Sequence, residues 1–117
     1  MLAVGGCYLD GLDDRTIKMT TGFAGGVGGN HQDLCGAYTT GVMILSGLYG
    51  RTNPTADDQR CLKLVNEYRQ RFLHQFDTVY CWQLRAHQYG SSNMEPCSVL
   101  VSRAVEILLD VLDEQTR

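Results

Sequence analysis

Cysteine is the residue type in this 117-residue chain that most directly indicates chemistry, and the chain has five of them. Cys35 follows a glycine-rich segment and opens the string CGAYTTG, where a helix is expected to begin. A thiol beside the unpaired N–H groups and the positive dipole end of a helix is favoured as thiolate, the form that attacks disulfides and binds soft metals. Cys35 is therefore a candidate reactive thiol.

Two further cysteines, Cys81 and Cys97, are also expected within the first turn or so of separate helices. Each helix N-terminus stabilises a nearby negative charge by roughly 0.3 to 1 kcal/mol, which lowers a thiol pKa by up to about one unit. If the three helices converge, the three thiols share one site. Cys61 instead falls in the apolar stripe of a long helix and is expected to be a packing residue.

The spacing of apolar residues predicts an all-α fold, a compact bundle of about five helices. Glycine is too frequent in residues 22–29 for a helix, so a Gly-rich loop should precede the central small-residue helix. Residues 78–82 could also form a strand, but no second strand is apparent for it to pair with. The expected helices, with an N-terminal fragment counted first, cover residues 2–9, 14–21, 32–49, 55–76, 78–87 and 96–112.

Three of these helices have signals at their starts. Thr55 and Asp58 follow Pro54 as a capping box, and the next helix carries an apolar stripe. Asp77 or Thr78 can cap the following helix, and Glu95-Pro96 suits the start of the last one. The stripe of the long helix consists of Cys61, Leu64, Val65, Tyr68, Phe72 and Phe76, and that of the last helix of Cys97, Leu100, Val101, Ala104, Val105, Leu108 and Leu112.

Composition narrows the classes of function. Ten Lys and Arg against thirteen Asp and Glu give a net charge of −3, scattered along the chain, which disfavours nucleic acid as a partner. The uncharged stretch 34–49 is short for a bilayer span, so no membrane insertion is expected. Residues 1–117 should form one domain. Because no secretory signal is evident, the expected location is the cytoplasm, where thiols stay reduced unless they are catalytic, sensing or metal-bound.

Several motifs, taken together, carry a resemblance. A glycine-rich loop leads into CGAYTTG at residues 35–41, an apolar helix ends in Gly-Leu-Tyr-Gly-Arg at residues 47–51, Cys-Trp-Gln-Leu follows at residues 81–84, and Cys97 precedes an apolar helix. The combination resembles the C_GCAxxG_C_C family of redox-active proteins from about residue 12 to residue 112. The resemblance implies a helical fold, a redox role based on cysteines, and a redox partner or a transporter-associated protein as partner.

By position, Cys35, Cys81 and Cys97 match three of the four family cysteines, and Cys61 has no counterpart. The first family cysteine is not matched, because Cys7 lies several residues downstream of its expected place. The resemblance therefore implies either a chain without the N-terminal part of its first helix or a cluster that works with three thiols.

The leading hypothesis is thiol/disulfide exchange or electron transfer, with Cys35 as the attacking thiol and Cys81 or Cys97 as the resolving one. Six glycines are expected to shape the site: Gly25, Gly26, Gly28, Gly29, Gly36 and Gly41.

One alternative is a metal ion or an Fe–S cluster held by the same three cysteines. The fourth ligand would be His31, which lies four residues before Cys35, or else His87. Another alternative is a non-catalytic helical interaction module, and the glycines of the central helix favour a homodimer. Nucleotide binding by the loop has little support, because there is no Walker lysine and no GxGxxG motif.

Overall fold

The computed structural model describes residues 1–90 and 94–115 and confirms the all-α fold. Within these residues there are six α-helices and no strands. The helices are α1 Leu2–Tyr8, α2 Asp14–Met19, α3 Gly36–Tyr49, α4 Gln59–Phe76, α5 Cys81–His87 and α6 Cys97–Gln115, with a 3₁₀ turn at Thr21–Phe23.

The core lies between α3, α4 and α6, and α1 packs on α3. Of the stripe predicted for α4, Cys61, Leu64, Tyr68, Phe72 and Phe76 are buried, and Val65 is half-buried against the core. Aromatic rings fill the centre: Tyr38 stacks on Tyr68 with ring centroids 5.7 Å apart. Large buried rings of this kind contribute much of the apolar burial that stabilises a small domain.

The predicted inward face of α6 is wrong in part. Cys97 and Val101 are exposed and Val105 is half-buried, because the buried face extends toward Ile107 and Val111 instead. The face that packs on α3 and α4 repeats at intervals of three and four residues and consists of Leu100, Ala104, Ile107, Leu108, Val111 and Leu112.

α3 and α5 begin later than predicted, because the residues expected in their first turns make hydrogen bonds outside the helix. α3 begins at Gly36 rather than near residue 32, since the residues before it are bonded across to the segment that precedes α5. α5 begins at Cys81 rather than at residue 78, since the Tyr80 N–H donates to the Thr78 hydroxyl and the Cys81 N–H donates to the Asp33 carbonyl.

The predicted capping box of α4 is also wrong. Thr55 lies in a turn, where its N–H donates to the Asn53 side chain over 3.0 Å. The helix begins four residues later, at Gln59, and its N-cap residue Asp58 makes no capping hydrogen bond with its side chain. Asp58 instead pairs with Arg51 at 3.3 Å.

Gly41 sets the distance between α3 and α4. A Cβ at this position would overlap the Tyr68 ring, and the Tyr68 hydroxyl donates to the Ala37 carbonyl at 3.2 Å. Glycine on one helix therefore makes room for a buried tyrosine on the other.

Replacement of Gly41 by Ala is expected to destabilise the fold by about 1 to 3 kcal/mol, because the added methyl overpacks a core that cannot expand freely. The measurement is the free energy of unfolding from urea titration. Gly6→Ala is the matched control: Gly6 is a helical glycine with no neighbour within 4 Å, so its replacement should be neutral or stabilise by up to about 1 kcal/mol. Equal effects of the two changes would contradict the packing role of Gly41.

Candidate functional site

Two backbone hydrogen bonds bring Cys35 and Cys81 to the same place. The Cys35 N–H donates to the Val79 carbonyl at 2.8 Å, and the Cys81 N–H donates to the Asp33 carbonyl at 2.8 Å. These two bonds flank a single antiparallel bridge between Leu34 and Tyr80. Residues 78–82, which could have formed a strand, are therefore extended only as far as the start of α5 at Cys81. Diagonal neighbours across such a bridge have Cα atoms about 7 to 8 Å apart.

Cys97, the first residue of α6, is positioned by a second isolated bridge, between Tyr89 and Glu95. Arg103 on α6 holds both of these residues, since its guanidinium donates to the Tyr89 hydroxyl and to the Glu95 carboxylate, each at 2.7 Å. Gly90 allows the close approach: a Cβ there would stand 3.1 Å from the Cys97 sulfur.

The three helix starts converge closely enough for their thiols to affect one another. Negative charge on Cys81 or on Cys97 raises the pKa of Cys35, and negative charge on Cys97 raises the pKa of Cys81. All five cysteines of the chain are free thiols. The three cysteines that sequence reasoning singled out therefore lie within electrostatic range of one another.

The expectation of a lowered pKa for Cys35 is wrong. The N–H groups of Ala37 and Tyr38 lower the pKa of the thiol, as expected for a residue at a helix start, although the thiol makes no capping hydrogen bond. Burial is the larger cause and raises the pKa, because only 7% of Cys35 is exposed. Desolvation can move a pKa by several units, whereas one helix end contributes up to about one unit.

Cys81 and Cys97 are more open to solvent than Cys35. Cys81 is half-buried; its burial raises the pKa of the thiol, and the Arg85 guanidinium, one turn further along α5, partly offsets this. Cys97 is exposed. A substrate can therefore reach Cys81 and Cys97 more easily than Cys35.

The Gly-rich segment curls against Cys81. Residues 25–29 all have positive φ, and the curl is closed by backbone hydrogen bonds such as that from the Gly28 N–H to the Gly22 carbonyl at 2.8 Å. Gly26 is buried against the site: with φ of 80°, it leaves no room for a side chain, because a Cβ would stand 2.9 Å from the Cys81 Cβ.

The other glycines expected to shape the site have different surroundings. Gly25 lies against Gly29 and the His31 ring, whereas a Cβ on Gly28 or Gly29 would meet nothing within 4 Å. Two remaining glycines lie on α3: Gly36 packs against the backbone of Phe23, and Gly41 packs against Tyr68 in the core.

His31 does not share a helical face with Cys35, because residues 31–34 are not helical. It contacts Cys81 instead, with 3.7 Å between the Cys81 Sγ and the His31 Nδ1. Its backbone has φ of 61°, and its N–H donates to the Gly25 carbonyl at 2.7 Å. This contact between residues 50 positions apart has no sequence signal, since it depends on the curl of the Gly-rich segment.

Metal binding has no support in the geometry. In the part of the chain that the structure describes, no three side chains of His, Cys, Asp or Glu are gathered closely enough to hold a metal ion. His87, the other candidate ligand, is exposed at the end of α5. Cys61 is buried in α4 beside Ser46, as expected for a packing residue, and Cys7 is exposed on α1.

An apolar cavity of about 400 Å³ lies beside the first turns of α3. Gly36, Ala37 and Tyr68 line one side, and Ala104 and Leu108 of α6 line another. None of the three clustered cysteines lines this cavity, so it is separate from the thiol site.

A protein-family model described as "Putative redox-active protein (C_GCAxxG_C_C)" matches residues 1–111. The chain belongs to the C_GCAxxG_C_C family. No curated protein and no solved structure matches the chain. Among the described residues of this family member, no helix has both the length and the apolar character needed to cross a bilayer.

Gly26→Ala is expected to disturb the site more than the matched change Gly28→Ala. Both glycines have left-handed φ, so each alanine should cost about 1 to 2 kcal/mol in backbone strain. At Gly26 the overlap with Cys81 should add about 1 to 3 kcal/mol and displace the segment. Urea titration gives the stability, and the rate of Cys81 alkylation gives the displacement. Equal results for the two variants would contradict the proposed contact.

Alkaline pH is expected to destabilise the chain through Cys35. The pKa of the Cys35 thiol is higher in the folded state than in the unfolded state. The contribution of this thiol to stability is therefore complete below the pKa of the unfolded state, and it is lost as the pH rises through the pKa of the folded state. The free energy of unfolding should therefore fall from about pH 8.5 upward, and less steeply in Cys35→Ser.

Serine is a suitable replacement in this comparison, since it does not titrate in this range and is a preferred N-cap residue. The Tyr68 phenol, whose pKa burial also raises, contributes in both proteins. Equal slopes in the two proteins would contradict a raised Cys35 pKa.

Proposed function

We propose that this protein carries out thiol/disulfide exchange at the cluster of Cys35, Cys81 and Cys97. The observation that carries the proposal is the convergence of three free thiols, each at the start of a different helix, within electrostatic reach of one another. Membership of a redox-active family supports the same chemistry.

Exposure and electrostatics support a different role for each thiol. Cys81 is the attacking thiol, because it is reachable from solvent and has His31 and Arg85 beside it. Cys97 is the resolving thiol: it is exposed, and its charge acts on Cys81. Cys35 stays reduced and closes the inner side of the cluster, because its burial disfavours the thiolate that exchange requires.

The exchange takes two steps with a disulfide substrate. The Cys81 sulfur attacks one substrate sulfur, the substrate S–S bond breaks, and the departing sulfur takes the proton that Cys81 loses. The Cys97 sulfur then attacks the Cys81 sulfur, which forms a protein disulfide and releases the second substrate sulfur, which takes the proton of Cys97. The substrate gains two electrons and two protons, and the protein loses them.

Cys81→Ser is expected to abolish formation of an intramolecular disulfide when the reduced protein meets a small disulfide such as oxidised glutathione. Cys97→Ser should stop after the first step and accumulate a mixed disulfide on Cys81, whereas Cys35→Ser should still form the Cys81–Cys97 disulfide. Peptide mass spectrometry of alkylated samples identifies each product.

Cys61→Ser is the control, because Cys61 lies in the core away from the cluster and should not change the products. A disulfide that forms in Cys81→Ser, or a wild-type protein that forms none, would overturn the proposal. A Cys35–Cys81 disulfide in the wild type would overturn the assignment of Cys97 as the resolving thiol.

The partner and the assembly are further proposals: a redox partner that supplies or removes electrons, a cytoplasmic location, and a homodimer. The glycines of α3 that favoured a homodimer make contacts within the chain, since Gly41 lies against Tyr68 and a Cβ on Gly47 would stand 2.9 Å from Leu9. Light scattering on the reduced protein tests the homodimer, and a monomer mass would overturn it.

A further inference from the structure

We propose that His31 is the base that removes the proton from the Cys81 thiol. The inference rests on the proposed function and identifies how a thiol in this setting becomes reactive at neutral pH. The His31 Nδ1 lies 3.7 Å from the Cys81 sulfur, within hydrogen-bonding reach for a sulfur atom.

Cys81 needs a base because its surroundings favour the protonated thiol. Burial raises its pKa, and negative charge on Cys97 raises it further, whereas Arg85 is the one cause that lowers it. A protonated thiol is a poor nucleophile, since the thiolate is the attacking form. A neighbouring imidazole can take the proton during attack, as in other Cys–His pairs.

The backbone holds His31 in place for this role. Its left-handed φ of 61° is uncommon for a residue other than glycine, and the hydrogen bond to the Gly25 carbonyl fixes it. Gly26 brings the segment against Cys81: a Cβ there would stand 2.9 Å from the Cys81 Cβ and 3.0 Å from the His31 Cα. The contact is therefore built into the curl of the Gly-rich segment.

The groups facing Cys81 come from every element around it. The segment that leads into α3 contributes His31 and the backbone carbonyl of Asp33, which accepts the Cys81 N–H at 2.8 Å. The start of α3 contributes Cys35, α5 contributes Arg85, and α6 contributes Cys97. Of these groups, the imidazole is the side chain that most often takes up a proton from a nucleophile in proteins.

The proton transfer is balanced within the first exchange step. The Cys81 proton moves to the His31 Nδ1 as the sulfur attacks the substrate disulfide, and the imidazolium then protonates the departing substrate sulfur. Acceptance at Nδ1 requires the tautomer that carries its proton on Nε2. His31 thus returns to its neutral form after each turnover.

The test compares Cys81 alkylation by iodoacetamide between pH 5.5 and 9 in the wild type and His31→Asn, with the rate at each cysteine read by peptide mass spectrometry. Asparagine tolerates left-handed φ but cannot take up a proton. We expect the Cys81 rate at pH 7 to fall about tenfold or more. The rate of Cys81 alkylation should rise at lower pH in the wild type than in the variant. The rate of Cys97 alkylation should stay unchanged.

His31→Gly provides a second variant, because glycine keeps the backbone conformation and leaves space beside Cys81. Added imidazole should restore the Cys81 rate in His31→Gly but not in His31→Asn, whose side chain occupies that space. Equal Cys81 rates in wild type and His31→Asn, a loss that is the same at every pH, or a parallel loss at Cys97 would each overturn the role of His31.

The wild-type reaction with oxidised glutathione separates this inference from the proposed function. If the wild type forms the Cys81–Cys97 disulfide and His31→Asn forms it equally fast, the base assignment is overturned and the exchange function stands. If the wild type forms no disulfide although the His31 variants lower the Cys81 rate, the exchange function is overturned.

Discussion

The site depends on two hydrogen bonds between peptide groups, from Cys35 to Val79 and from Cys81 to Asp33. Each lies where an extended segment turns into a helix, so the same pair of bonds sets the starts of α3 and α5. Buried peptide groups must find partners, and here the partners lie on the opposite segment rather than within a helix. Cys35 and Cys81 are neighbours because their backbone segments are paired, and this pairing does not depend on their side chains.

Burial opposes the helix ends in setting thiol reactivity. The N–H groups at the start of α3 favour a thiolate on Cys35, but removal of water from a thiol that is 7% exposed has the larger effect. Burial affects Cys81 less, since its thiol is only half-buried and has the Arg85 guanidinium and the His31 imidazole beside it. The same feature of sequence, a cysteine at a helix start, therefore leads to different chemistry at different depths.

Glycine makes both close contacts on which the arrangement depends. Gly41 gives the Tyr68 ring its place between α3 and α4, which fixes the helix whose N-cap residue is Cys35. Gly26 lets the curled segment lie on Cys81 and carries His31 to the thiol. Neither position can accept a side chain without displacing its neighbour, so the core and the site are built on the same steric principle.

Local sequence determined the helical class, the apolar stripe of α4 and the presence of cysteines at three helix starts, because helical periodicity and helix-end chemistry act over a few residues. Helix starts at Gly36 and Cys81 were missed, since they are set by hydrogen bonds to a distant segment. The exposure of Cys97 was missed as well, because packing against α3 and α4 decides which face of α6 is buried. The convergence of the thiols, the raised Cys35 pKa and the contact of His31 with Cys81 were decided by the tertiary structure alone. Burial and long-range distance are properties of the packed chain, and no local pattern of residues encodes them.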